Sequence, residues 1–505
     1  MNEFSLSLLP PMQWLARRLF LAAAATALAD WLFVDRAGVG LSLTLFLAAI
    51  GLLTIVANPV RANMRLRIAA AAALILALLA IVEDVSWLSL LVATGATLMF
   101  AQVTTFGDRG VWPSQLRRAC SLPFVGPFWL IGDILRARRL SRSRRKTVRP
   151  AGTLIAWIAP VGLLLIFLSL FAMANPVIDE WVRLLDPRRG FELISTMRIL
   201  FWLIIACLVW PFVHLHRPRE PAQRKAPAPA TPKDDGALLG ADAVLRSLVL
   251  CNALFAVQTS LDVAYLWGGL ALPHGLTYAA YAHHGAYPLM ATALLAAGFV
   301  LVAMRSGGPA ETSRHIKPLV LVFVAQNFML VLSSLFRTGL YVDAYSLSEL
   351  RLAAMIWMGL VAVGLALITV QIAARKSNKW LLDANALALA ATLYLCCFLN
   401  FPHIVASYNV AHCLETSGAR PALDIDYLLS LGPHAIPAYD RFVRLHAERT
   451  GRSPPREESF ARVSARAAVS DIEWRRWTFR GWRLKRYFDT NPQGAAPMSD
   501  DASGK

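Results

Sequence analysis

Charge is sparse in this chain of 505 residues. Only 16% of it is Asp, Glu, Lys or Arg, where soluble domains average about 25%. Acids are the scarcer sign, with 32 Asp and Glu against 50 Lys and Arg. No glycine-rich phosphate loop, no nucleophile–base motif and no helix with paired metal-binding His occurs in the sequence, so no cofactor is implied. Cysteine is scarce too. Cys120, Cys207, Cys251, Cys396, Cys397 and Cys413 lack metal-ligand spacing and lie mostly in apolar runs, which argues against zinc and against a disulfide framework. The start "MNEFSLSLLPPMQWLARRLF" has neither a basic first segment nor a small-residue cleavage pattern, so its apolar run is read as a span and not as a removable leader.

What the chain has instead is apolar length. Hydrophobic residues make up 57% of it and its mean hydropathy is +0.50. These values predict an all-α, polytopic transmembrane helix bundle with a helical C-terminal extramembrane tail. A span needs roughly 20 apolar residues. About eleven such stretches can be read, near 18–34, 39–57, 67–83, 86–105, 152–174, 197–214, 243–265, 286–304, 317–337, 350–373 and 381–399.

The net charge of +18 belongs to the connections. Arg17 and Arg18 precede the first span, and Arg61, Arg65 and Arg67 follow the second. A run from Arg109 to Arg149 follows the fourth. Arg217–Lys225 follow the sixth, Arg305–Lys317 the eighth and Arg375–Lys379 the tenth. Every second connection is therefore basic, which predicts a cytoplasmic N-terminus in a bacterial inner membrane. An odd span count then puts the tail in the periplasm. The bilayer is the implied partner, and nucleic acid is not. The basic run 136–150 reads as a topology anchor, with attraction to anionic headgroups as the sharper reading.

The expected organisation is an N-terminal membrane half over 1–214 with a basic cytoplasmic loop at 106–150. A Pro/Ala-rich linker follows at 215–240. Then come a C-terminal membrane half at 241–400, a helical tail at 401–490 and a disordered end at 491–505. "ANPV" closes a span twice, at 57–60 and 174–177, and reads as a helix-ending device. "EWRRWTFRGWRLKRYF" (473–488) interleaves Trp with Arg and Lys, as a strip lying on a membrane surface or on span ends would.

Polar groups inside apolar spans mark buried interfaces or sites. Gln326, Ser333 and Arg337 fall at i, i+7 and i+11, one face of a helix. The seventh span carries Asn252, Gln258 and Asp262. Asp262 and Arg337 reach the same depth in this topology, so they are expected to share a polar cluster. The connection after span seven adds Tyr278, Tyr281, His283 and His284. Adjacent histidines on a helix diverge by about 100° and cannot chelate one ion together. The stretch "SSLFRTGLYVDAYSLSELRL" (333–352) adds Tyr341, Asp343, Tyr345 and Arg351. Within it "SLSE" reads as a capping box, with Ser346 as the cap and Glu349 at the third helical position. Asn409 lies beyond the last span on the same side.

"TYAAYAHHGAYPL", "SSLFRTGLYVDAYSLSELRLAAMIWM" and "FNFPHIVASYNVAH" resemble the recurrent motifs of a bacterial multipass membrane family, a domain of unknown function of the DUF 4153/4173 type. In that family a Tyr-Ala-x-x-Tyr stretch is followed by Gly, matched here by Tyr278, Ala279, Tyr281 and Gly285 with the Tyr–Tyr spacing one residue shorter. Its Arg-x-x-Leu-Tyr-x-x-x-Tyr-x-Leu-x-x-x-Arg pattern falls on Arg337, Leu340, Tyr341, Tyr345, Leu347 and Arg351, ahead of Trp357. The match is good over 245–435 and general before that. The resemblance implies an architecture and no activity.

Three functions compete at this stage. A non-enzymatic envelope sensor, assembly factor or partner-binding protein fits the missing catalytic motifs. An envelope enzyme, transferase-like and acting on a lipid-linked or outer-face substrate, fits the spans and clustered acids in outline. Asp35 stands where polytopic glycosyltransferases often keep a catalytic acid, but its loop here is short. A transporter fits least, because Asp262 and Arg337 are far from the midplane and no inverted repeat is visible. The polar cluster Asp262, Tyr278, Tyr281, His284, Arg337, Tyr341, Asp343, Tyr345, Arg351 and Asn409 is the candidate site.

Overall fold

The computed structural model describes residues 11–34, 38–107, 112–144, 196–215, 241–268, 315–418, 421–451, 457–470 and 473–491, with isolated positions between 292 and 299. The described backbone is helical throughout, joined by turns. The expected spans 152–174 and 286–304, the linker, and the tail end beyond 491 lie essentially outside the described residues. The chain divides into two compact units. One holds residues 1–219 with 473–478, and the other holds 220–472 with 479–505.

The first unit contains α1 (Pro11–Phe33), α2 (Leu41–Ala57), α3 (Met64–Glu83), α4 (Trp87–Phe106), α5 (Trp112–Arg144) and α6 (Thr196–Val213). α3 and α4 are long and apolar enough to cross a membrane, and α2 and the Met197–Val213 part of α6 are shorter apolar helices. Their ends are built from short-range chemistry. Asn63 caps α3 through its side chain, and Ser86 with Ser89 forms a capping box on α4, each satisfying amides that would otherwise lack partners. Gly107 ends α4 with φ +71, a left-handed conformation that glycine adopts without strain. Asn58 of the first "ANPV" does more than end α2. Its amide donates to the Phe212 carbonyl at 2.6 Å and its oxygen accepts from Leu215 N at 3.0 Å, tying the C-terminal ends of α2 and α6 together. The core packs α1, α2 and α6 around Leu32, Ile50, Trp210 and Val213, and α2, α3 and α4 around Leu78, Ile81 and Phe100.

The expected loop at 106–150 is a correction. Residues 112–144 form one helix, α5, with Pro123 and Pro127 inside it. The prolines and flanking arginines hide it from a hydropathy reading, because each proline removes one intrahelical donor and suggests a break.

The second unit contains α7 (Ala241–Leu261), continued by a π-helical turn (Asp262–Trp267). Then come α8 (Ile316–Tyr345), α9 (Glu349–Ala373) and α10 (Asn378–Phe398). All four are long and apolar enough to span. Phe255, Val320, Phe323, Met358 and Leu365 form their shared core. α8 has 30 residues, about 45 Å at 1.5 Å per residue, so it outruns a ~30 Å hydrocarbon layer. Six helices in the two units thus meet the length and composition for crossing, and the chain is a membrane protein on that ground.

The tail adds further helices to the second unit: α11 (Phe401–His412), α12 (Leu414–Ser417), α13 (Ile425–Ser430), α14 (Ile436–Thr450), α15 (Glu457–Ser470) and α16 (Phe479–Thr490). Val410, Leu428, Tyr439 and Phe442 form one core, and Ile436, Leu484 and Phe488 another. Arg480 on α16 donates to the carbonyls of Cys397 and Leu399 at 3.1 and 3.2 Å. A cation there satisfies the last carbonyls of α10 and faces its negative dipole end. The Trp/Arg strip 473–488 is not one continuous surface helix. Its first part, Glu473–Thr478, packs in the first unit, where Arg475 lies 4.7 Å from the rings of both Trp31 and Trp474.

Candidate functional site

Among the described residues of the second unit, the most buried ion pair lies between α7 and α8. Arg337 and Asp262 are 3% and 1% exposed and form an ion pair through Nη2 and Oδ1. The Arg337 guanidinium on α8 thus meets a carboxylate at the end of α7. Gln258, one turn before Asp262, donates to the same Oδ1 at 2.9 Å. The other oxygen, Oδ2, is buried and has no hydrogen-bond partner among the described residues.

Asp262 also starts the π-helical turn, closed by Gly268 N donating to Val263 O at 2.8 Å. The wider turn rotates the residues after Asp262 relative to a regular helix. Such bulges concentrate at functional sites. The sequence carries no recognisable signal for it. A Cβ on Gly268 would come within 2.8 Å of Ala264 O, so a residue without a side chain is required to close it.

Below the pair, α8 presents Asn327, Ser333, Ser334 and Thr338 to the protein interior, all buried. Ser334 and Thr338 return their hydroxyls to carbonyls one turn back, at 2.8 and 2.9 Å. Asn327 Oδ1, Gln326 Oε1 and Asn252 Oδ1 are buried acceptors without a partner among the described residues. An open cleft of about 510 Å³ runs along α7 and its π turn, lined by Ala256, Val257, Ser260, Leu261, Ala264 and Tyr265. Among the described residues its lining includes none of the candidate side chains.

The connection from α8 to α9 is held as a second cluster. The Tyr341 and Tyr345 rings lie 4.8 Å apart between centroids, tilted by 45°, and the Arg351 guanidinium lies 4.4 Å from the Tyr341 ring. Arg351 Nη1 donates to the carbonyls of Tyr345, at 2.9 Å, and Ser346. Asn409 on α11 accepts from Leu347 N at 2.8 Å and donates to Leu347 O at 2.9 Å, satisfying both backbone groups of one buried residue. Tyr427 OH accepts from Glu349 N at 3.2 Å. The capping box expected over 346–349 forms differently. Ser346 ends α8 with φ +66, and Ser348 caps α9, accepting from Arg351 N. The long α8 runs on through Tyr345, so the next helix begins two residues later than the motif suggests. The positive φ of a serine is strained, and Arg351 and Asn409 hold its flanks.

Asp343 is exposed on the last turn of α8. Tyr278, Tyr281, His283 and His284 lie outside the described residues. Among the described residues no group of three or more His, Cys, Asp or Glu side chains could hold a metal ion.

In the tail, Tyr487 OH donates to Asp440 at 2.8 Å, and Arg462 pairs with the same carboxylate. Burial and the Asp440 charge push the Tyr487 phenol up to about 12. Burial, reinforced by Arg480, His403 and Arg483, pulls the His434 imidazole down to about 4. Neither group stands out in the sequence.

The model of one protein family, described as a domain of unknown function (DUF4153), matches residues 70–442. The chain belongs to the DUF4153 family. The match begins inside α3 and ends inside α14, so DUF4153 reaches well beyond the C-terminal stretch over which the motifs resemble it. It takes in α4 to α6, the ion pair, the Arg351 cluster and Asn409. No curated protein and no solved structure matches the chain.

Proposed function

We propose that this DUF4153 chain is a non-enzymatic envelope protein of the sensor, assembly or partner-binding kind, in which the motif residues lock span ends and present the helical tail. The observation that carries the reading is how the described candidates are engaged. Arg337 pairs with Asp262, Arg351 with two carbonyls and a ring, and Asn409 with both backbone groups of Leu347. Each holds one element against another. Groups engaged this way are preorganised for rigidity and are poorly placed to act on a substrate.

The setting we propose is the bacterial inner membrane, with the N-terminus cytoplasmic and the tail periplasmic. Alternating basic connections support it. A contact within the first unit supports it too. Leu41 N donates to Trp477 O at 3.0 Å, at the α1–α2 connection. The Arg61–Arg67 connection, joined to the end of α4 by bonds from Arg61 N and Ala62 N to Thr104 O, lies at the opposite end of α2. Tail residues and the basic connection thus belong to opposite sides.

One observation favours the runner-up, an envelope enzyme acting on a lipid-linked or outer-face substrate: the unpartnered Oδ2 of Asp262. Lipid and envelope-polymer profiling of a deletion strain beside an Arg337→Ala strain separates the two. The lock reading expects unchanged precursor pools in both. Accumulation of one specific precursor in both strains would establish chemistry and overturn it.

A further inference from the structure

We infer that α5 is not a span but an in-plane helix embedded in one membrane leaflet, with its exposed face on acyl chains and its basic edge on anionic headgroups. Three observations carry this, and none depends on which leaflet it is.

The first is the crossing. Leu122 packs with Ala101 of α4 and with Leu215 just past α6. Four residues on, a Cβ at Gly126 would lie 2.0 Å from Cys207 O. Asp133 then accepts from Trp210 Nε1 at 3.1 Å and meets His214 Nδ1 at 2.6 Å. Two helices running side by side would advance together. Here α5 advances about 16 Å from Leu122 to Asp133, yet both ends of that stretch meet the last turns of α6. Trp129 and Leu130 of α5 also pack into the α1, α2 and α6 core. The helix therefore runs across neighbouring spans at one depth.

The second is the division of its circumference. Gln115, Ala119, Leu122 and Asp133 are buried and, with Gly126, share the bundle-facing side. Directly opposite, at i, i+4, i+7 and i+11, Phe124, Phe128, Ile131 and Leu135 are 76%, 75%, 57% and 48% exposed. Four large apolar side chains in one stripe, away from the protein, match hydrocarbon and not water.

The third is the pair of remaining edges. One carries Pro123, Pro127 and Ile134, all apolar. The other carries Ser114, Arg118, Ser121 and Arg136, while the exposed Arg117 stands in line with the Phe124 stripe at its N-terminal end. A helix lying in a leaflet needs this asymmetry, one edge toward the bilayer centre and one toward phosphates.

The test uses the full chain in proteoliposomes of phosphatidylcholine with phosphatidylglycerol. A benzophenone amino acid replaces Phe124, Phe128, Ile131 or Leu135 one at a time, and adducts are mapped by mass spectrometry. The expected result is phospholipid adducts at all four sites, on acyl carbons of the same depth. Adduct positions that march through the bilayer by about 16 Å from residue 124 to 135 would overturn the in-plane placement. Adducts to this chain itself, or none, would show the stripe to be covered by protein or water and overturn the lipid contact. For the basic edge, phosphatidylglycerol adducts should exceed the bulk lipid ratio on the order of five-fold, falling to bulk in Arg117→Gln/Arg118→Gln/Arg136→Gln. Bulk ratios in the unsubstituted chain would overturn the headgroup part. Benzophenone at the two phenylalanines is a conservative change, so those sites remain readable if the others fail to fold.

Discussion

Replacing Asp262 by Asn tests the α7–α8 lock with the least change in shape. The substituted side chain keeps an oxygen for Gln258 and for Arg337 but loses the negative charge. Arg337 then remains a buried cation, its side chain 4% exposed, without the Asp262 charge. Breaking a buried pair from one side costs about 3–5 kcal/mol, and the retained amide oxygen places this variant near the lower end, at about 3 kcal/mol. Against a total stability of about 5–15 kcal/mol, the folded-to-unfolded ratio falls by about two orders of magnitude. Arg337→Gln should cost a similar amount, because it leaves the carboxylate buried. The double variant Asp262→Asn/Arg337→Gln should lose less than the sum of the two, because two neutral amides need no counter-charge. Detergent-solubilised protein followed by fluorescence-detected size exclusion after heating, combined with denaturant unfolding, measures all three. Single variants within about 0.5 kcal/mol of the parent, or strict additivity in the double, would refute the coupling.

Three further outcomes follow from other parts of the structure. Gly126→Ala places a Cβ 2.0 Å from Cys207 O and should destabilise the first unit by about 1–3 kcal/mol through forced separation of α5 and α6, read as a lower melting temperature than Gly132→Ala, where nothing lies within 4 Å. Asn409→Asp keeps the acceptor for Leu347 N and loses the donor to Leu347 O, so it should cost about 1–3 kcal/mol for the stranded carbonyl, while Asn409→Leu strands both groups and costs more; protease cleavage near 345–348 is the readout. His434 is depressed in the folded chain, so the unfolded chain binds the extra proton first. Its contribution is complete above about pH 6.5 and is lost as pH falls toward 4; His434→Gln should flatten the stability–pH curve in that window, and an unchanged slope would contradict the assignment.

Hydropathy made most of the membrane helices legible, because α3, α4, α7, α8, α9 and α10 need little more than length and apolar composition. The depth of Asp262 and Arg337 was readable by counting residues from the same side of two spans. Their partner Gln258 was visible as an i, i+4 neighbour. The π turn was not, since its cause is a backbone register shift that leaves no residue pattern beyond Gly268. "SLSE" misled because a capping motif assumes the preceding chain is already out of helix, and α8 continues to Tyr345. α5 was missed because its four sides differ from a span's. Prolines sit on one apolar edge, arginines on the other, and its moderate apolar length sits inside a basic run. Asn409 was legible as a polar group near the site, but the pairing with Leu347 is long-range and depends on how α11 docks.

The growth of a strain carrying Asp262→Asn/Arg337→Gln in place of the parent gene tests the central claim most directly. It is compared at equal folded abundance, in the condition where deletion is most costly. If the buried pair is a lock, this folded neutral pair supports growth equal to the parent. Growth as poor as the deletion, from a protein present and folded, would mean that the charges act on something other than each other.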